Sequence, residues 1–88
     1  MTFADAISER ILELLSSNQL SINRLATKAG INESTIRSIL NKSTKCPNAV
    51  TIHFICIGFG ISLAEFFTSD LFDENNLIDD WFYWSICL

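Results

Sequence analysis

Along residues 34–41 the side chains able to form hydrogen bonds gather on one helical face, since Ser34, Arg37, Ser38 and Asn41 recur at i, i+3, i+4 and i+7. A guanidinium flanked by hydroxyls and an amide can donate to ring nitrogens, carbonyls or phosphate oxygens, but it breaks no covalent bond. Asn32 and Glu33 stand at the leading end of the same stretch. Glu33 lies four residues before Arg37, so it either accepts a hydrogen bond from a ligand or forms a solvated ion pair with that arginine. Nothing else in the chain makes a catalytic constellation: there is one histidine, no nucleophile elbow and no glycine-rich phosphate loop. His53 and Cys56 are three residues apart with Cys46 nearby in sequence, yet a zinc site needs a fourth ligand and tighter pairing. A core thiol beside a surface histidine is the simpler reading. The residue types therefore point to recognition by hydrogen bonding, with no enzyme activity, metal, cofactor or small-molecule ligand implied.

Such a face needs helices to hold it. Ile22, Leu25, Ala26 and Ala29 form one apolar stripe and leave Asn23, Arg24, Thr27 and Lys28 outside, which predicts a helix from Ile22 to Ala29 capped by Ser21. The amides of Ile22, Asn23 and Arg24 would then lie at the positive end of a helix dipole, a seat for an anion. Gly30 follows where a left-handed residue commonly ends a helix, and Asn32 offers a side-chain oxygen to cap the next. That next helix turns Ile36, Ile39 and Leu40 inward. Upstream, Thr2 and Asp5 form a capping box for a helix from Phe3 to Ser17, with Phe3, Ile7, Ile11, Leu14 and Leu15 at helical spacing. Downstream, Asn41 to Asn48 reads as a polar loop carrying Lys42, Lys45 and Pro47. A fourth helix follows from Ala49 to about Phe59, ended by Gly60, and a fifth is capped by Ser62 and carries Leu63, Phe66 and Phe67. The pattern is all-α.

The stretch from Ser21 to Leu40 resembles the helix-turn-helix of the phage-repressor family, the Cro-type or XRE-type DNA-binding domains, through Leu25, Ala26, Gly30, Ile31, Ile36 and Ile39. The resemblance continues through NKSTKCPNAVTIHFICIGFGISLAEFF and so spans residues 3–72. It implies a five-helix, lambda-repressor-like domain over residues 1–72, followed over 73–88 by an acidic and aromatic tail. By the same resemblance the chain is a cytoplasmic transcriptional regulator, repressor-like, that binds double-stranded DNA as a homodimer and reads a pseudo-palindromic operator through a recognition helix, residues 33–41. Asn32, Glu33, Ser34, Arg37 and Ser38 would face base edges, while Ser21, Ile22, Asn23, Asn41, Lys42 and Lys45 would hold phosphates. Two positions depart from the family's pattern: Lys42 stands where relatives usually have glycine, and Ile22 where they often have glutamine. A rival reading uses the same fold as a protein-interaction module, antitoxin-like or a regulator's partner, with weak or no DNA binding.

Charge is unevenly distributed along the chain. The formal net charge of −4 looks wrong for a phosphate binder, but residues 17–63 hold Arg24, Lys28, Arg37, Lys42 and Lys45 against Glu33 alone, a local +4. Residues 1–16 carry −2 and residues 64–88 carry −6, the latter with no cation. With a screening length of ~8 Å at physiological salt, acids on the far side scarcely weaken a basic face. Eighty-eight residues with 49% apolar content suit one core without metals or disulfides. The odd set of Cys46, Cys56 and Cys87, with no CxxC spacing, reads as free thiols in a reducing compartment. The opening residues show no signal peptide. The uncharged run from Ala49 to Ala64 contains His53 and two glycines and is shorter than the ~20 residues a bilayer needs, so no membrane span is expected.

The fourth helix carries a second apolar stripe, Val50, Phe54 and Ile57, where relatives tend to have polar or charged residues. A helix apolar on both sides is covered on both sides. The tail LIDDWFYWSICL is rich in aromatics. The tail is expected to pack on its own domain or on a second copy, and Val50, Phe54 and Ile57 with Trp81, Phe82 and Trp84 are the expected dimer interface.

Overall fold

A computed structural model of the chain describes residues 2–41, 48–73 and 76–77. Among these residues the structure is all-α. Helix α1 runs Phe3–Asn18, α2 Ile22–Ala29, α3 Glu33–Leu40, α4 Ala49–Phe59 and α5 Leu63–Phe66, and a 3-10 turn follows at Asp70–Phe72. The expected five-helix fold is observed, with α1 one residue longer than its sequence pattern predicts.

The helix starts follow from local hydrogen-bond chemistry. Thr2 Oγ1 accepts from the Asp5 amide and Asp5 Oδ2 accepts from the Thr2 amide, both at 3.1 Å, which completes the capping box of α1. Ser21, Asn48 and Ser62 cap α2, α4 and α5 in the same manner, accepting from the amides of Arg24, Val50 and Glu65. Asn32 is the exception and corrects the expectation above. It occupies the N-cap position of α3 with extended backbone angles, but its side chain makes no capping bond. Its carbonyl instead accepts from the Thr35 amide at 3.1 Å.

Every helix contributes at least one side chain with no remaining exposure: Ile7 and Ile11 from α1, Leu25 from α2, Ile36 from α3, Ile55 from α4 and Phe66 from α5. Burying side chains of this size contributes roughly 1.5 to 3 kcal/mol each relative to leaving them in water. Two polar side chains on α1 tie the outer helices to this core. Ser8 is buried, and its Oγ donates to the Leu40 carbonyl at 3.2 Å, holding the end of α3 against α1. Arg10 donates from Nε to the Phe66 carbonyl at 2.7 Å and from Nη2 to the Glu65 carbonyl at 2.9 Å, and also pairs with Glu13. Arg10 thus satisfies carbonyls at the end of α5, where a cation suits the helix dipole.

Aromatic rings close the base of the domain. Phe67 stacks edge-on against Phe66 and Phe72 at centroid separations of 5.1 and 4.8 Å, and Phe3 lies 6.1 Å from Phe72. These contacts fasten the 3-10 turn to α5 and to the start of α1, with edge-to-face geometry favoured by the ring quadrupoles. Leu63, which α5 also carries, is exposed.

The approach of α4 to α2 is a close one. At Gly58 in α4 a methyl group would meet Leu25 Cδ1 at 2.9 Å and the Cβ and amide nitrogen of Ala29 at 3.1 Å. A methyl there would press on Leu25 and Ala29, so glycine lets α4 lie this near α2 without a shift. Cys56, two residues before Gly58, is also buried, and that burial pushes its thiol pKa above the ordinary value despite the opposing field of Arg10. The Gly58→Ala variant tests the close approach: alanine favours a helix by ~1 kcal/mol, but overpacking costs ~1 to 3 kcal/mol. A lower urea midpoint than the parent is expected, and an unchanged or higher one would show that α2 and α4 have room to spare.

Candidate nucleic-acid interface

The corner between α2 and α3 is three residues long. Gly30 adopts φ 72° and ψ 29°, left-handed values at which a Cβ is penalised, and its amide donates to the Ala26 carbonyl at 2.9 Å. The Ile31 amide reaches the same carbonyl at 3.2 Å, and its side chain packs against the core. From this corner α3 leaves with Ile36 and Ile39 buried beneath it. Ser34, Arg37 and Asn41 are exposed on the opposite side, and Ser38 beside them is half-buried. Asn32 is exposed and Glu33 half-buried at the leading end. The hydrogen-bonding face read from the spacing is therefore assembled on the outside of α3.

The start of α2 lies across the corner. Ser21 and Asn23 are exposed and Ile22 is half-buried. The Arg24 amide is occupied by Ser21 Oγ at 3.1 Å, so the anion seat expected from three amides is narrower, with those of Ile22 and Asn23 left at the helix start. Arg24 and Lys28 are exposed one turn apart on α2 and share their sign with Arg37. The remaining cation of the described N-terminal half, Arg10, is bound to carbonyls of α5 and takes no part in this face. Lys42 and Lys45 lie outside the described residues, as do Trp81, Phe82 and Trp84.

A bridge between the two helices was not legible from periodicity. Glu33 Oε1 accepts from Arg37 Nε at 2.9 Å and from Arg37 Nη2 at 2.5 Å, while its Oε2 accepts from Asn23 Nδ2 at 3.2 Å. The carboxylate of α3 is thus shared between an arginine one turn on and an amide of α2. Hydrogen bonding from Arg37, then from Asn23, holds the Glu33 pKa below the usual glutamate value, so the group stays ionised further into acid than a free side chain. The i, i+4 spacing signals the Arg37 half of the bridge. The Asn23 half needs the corner's geometry.

The outer stripe of α4 is bare among the described residues. Val50, Phe54 and Ile57 are 60%, 40% and 52% exposed. An apolar groove of about 200 Å³ opens beside this helix, lined by Phe3, Ala49, Ile52, Leu63 and Phe67. His53 is exposed whereas Cys56 is buried, and no group of three or more potential metal ligands occurs among the described residues. No helix among them is long and apolar enough to cross a membrane.

The comparisons with known proteins agree with this geometry. The model of the Cro/C1-type HTH DNA-binding domain matches residues 10–70, which include all of α2, α3, α4 and α5. The crystal structure of the prophage Lp1 protein 11 is similar at 36% identity and a TM-score of 0.74, over 84% of this chain and 97% of that one. No curated protein matches significantly. A family model that covers most of the chain, and a solved relative that superposes over nearly its whole length, join the corner at Gly30 to a known type of DNA-binding regulatory module. The chain belongs to the Cro/C1-type helix-turn-helix DNA-binding domain family.

Proposed function

We propose that the chain is a sequence-specific transcriptional repressor that works in the cytoplasm and reads a pseudo-palindromic operator as a homodimer. The observation that carries the proposal is the division of α3, with Ile36 and Ile39 buried and Ser34, Arg37 and Asn41 exposed at the outer side of a helix-turn-helix. A helix of this kind enters the major groove of duplex DNA, where base edges display distinguishable patterns of donors and acceptors. In the proposed complex Ser34, Arg37 and Ser38 meet base edges, with Asn32 and Glu33 at the leading end. Ser21, the amides of Ile22 and Asn23, Asn41, Lys42 and Lys45 hold the sugar-phosphate backbone and set the register. Residues 1–72 form the binding domain and 73–88 the tail.

Two copies associate through the outer stripe of α4 in this reading. Val50, Phe54 and Ile57 form a contiguous apolar stripe on a surface where isolated hydrophobics would be ordinary but a row asks for a partner. Trp81, Phe82 and Trp84 supply the remaining apolar area. A dimer sets two recognition helices one turn of DNA apart, which pairs protein symmetry with operator symmetry. The bare stripe also supports a second reading, a protein-interaction module that uses this fold to hold another regulator. Selection of binding sites from random-sequence DNA decides between the two, since only the first yields an enriched motif with two half-sites.

On the selected duplex, Arg37→Ala is expected to lose ~1 to 3 kcal/mol of discrimination at one base pair per half-site. Lys45→Ala is expected to weaken all sequences alike and to lower the salt slope by about one. Equilibrium titrations at several salt concentrations measure both, and unaltered binding in both variants would refute the face assignment. Ile57→Glu places a charge at an exposed position and should give a monomer by light scattering with the helical circular dichroism of the parent. A stable Ile57→Glu dimer would remove α4 from the interface.

A further inference from the structure

The bridge between the two helices of the corner does more than neutralise a surface charge. Arg37 Nε and Nη2 both converge on Glu33 Oε1, and Glu33 Oε2 is anchored by Asn23 Nδ2 on the neighbouring helix. The guanidinium is therefore gripped along its side edge by a carboxylate that is itself fixed from two directions. Its Nη1 group and the outer hydrogen of Nη2 are left at the end of the fork, on a side chain that remains exposed. That end edge has the spacing of a paired donor, and in the major groove guanine alone offers two acceptors, O6 and N7, to match it.

We infer that Glu33 is a positioning residue that holds Arg37 in an end-on pose for guanine and, through its own negative charge, suppresses binding to mismatched DNA. The inference rests on the proposed reading of DNA by α3. Its first half follows from entropy: an unrestrained arginine loses rotamer freedom on binding, whereas one already gripped at its side edge has lost part of it beforehand. The second half follows from Coulomb's law. A carboxylate at the leading end of α3 repels phosphates and pairs with Arg37, so the arginine attracts the polyanion less wherever no guanine is present to engage it. Selectivity rises because this loss of attraction falls on duplexes without the guanine more than on the one whose guanine engages Arg37.

The test uses the full chain, a duplex recovered by random-site selection, the same duplex with the guanine opposite Arg37 replaced, and a mixed-sequence duplex of equal length. Glu33→Ala is expected to lower the preference for guanine by about tenfold and to raise affinity for the mixed duplex severalfold. Glu33→Gln keeps an oxygen for Arg37 Nε but no charge, so it should show the same gain on the mixed duplex with a smaller loss of preference. A residue that merely stabilised the helix start would instead weaken binding to every duplex, with lower thermal stability. A guanine preference lost in Arg37→Ala but kept in Glu33→Ala overturns the positioning role and leaves base reading by α3 standing. A preference kept in both variants overturns both. A loss in Glu33→Ala confined to a cytosine at another base pair would mean that the carboxylate reads a base itself, which also overturns the inference.

Discussion

The packing of α2 against α4 is the constraint on which the rest of the structure depends. Leu25 is fully buried and Ala29 nearly so, and a methyl group at Gly58 would crowd both. Protein interiors are packed as densely as organic crystals, so a contact of this closeness restricts how the two helices can lie against each other. Once α2 is fixed, Gly30 fixes where α3 begins, and burial of Ile36 and Ile39 fixes its rotation. The outward face of α3 is then a consequence of what lies behind it. Ser8 extends the same control to the far end of α3 by holding the Leu40 carbonyl.

Electrostatics is layered on that frame. Arg24, Lys28 and Arg37 are exposed on α2 and α3, while Arg10 is engaged with the carbonyls of α5 and Glu9, Glu13 and Glu65 are exposed elsewhere. The chain can carry a net charge of −4 and still present cations where α2 and α3 meet, because screening shortens the reach of distant acids. The one acid within that region, Glu33, is bonded to Arg37 and Asn23. It acts on its immediate neighbours more than on the whole surface.

Much of this was legible in the sequence, and what was legible shares a cause. Apolar stripes in Ile22–Ala29 and Glu33–Leu40, the caps at Thr2, Ser21 and Ser62, and the stop at Gly30 each depend on residues within one or two turns of one another. Asn32 was misread because an N-cap position selects a residue type without compelling the side chain to make the bond. Gly58 was invisible as a packing residue, since its significance lies in Leu25 and Ala29 more than two dozen positions earlier. Ser8 and Arg10 left a fainter trace. Ser8 stands in the stripe of Ala4, Ile11 and Leu15, and Arg10 falls between Ile7 and Leu14, so both sit where a helix turns inward and must find polar partners there. The Asn23 to Glu33 bond required knowing that the corner brings two helix starts together. The spacing of Val50, Phe54 and Ile57 announced a second apolar face directly, and the structure leaves that face exposed among the described residues.

On the proposed reading, a short helix that meets bases with few side chains, on a domain with few cations, has limited means to hold DNA alone. Each bidentate contact contributes ~1 to 3 kcal/mol of discrimination, and a carboxylate beside the arginine takes away some of the attraction that every sequence shares. One remedy is more positive charge, which strengthens wrong sites as much as right ones. The other is a second copy, because joining two weak readers makes the second contact effectively intramolecular and multiplies selectivity without new cations. An acidic chain with an apolar stripe on the helix behind its recognition unit has the composition for the second remedy. On the proposed reading, the exposed row on α4 and the neutralised arginine on α3 are two sides of one solution: discrimination is gained by pairing readers, and background is kept low by restraining each.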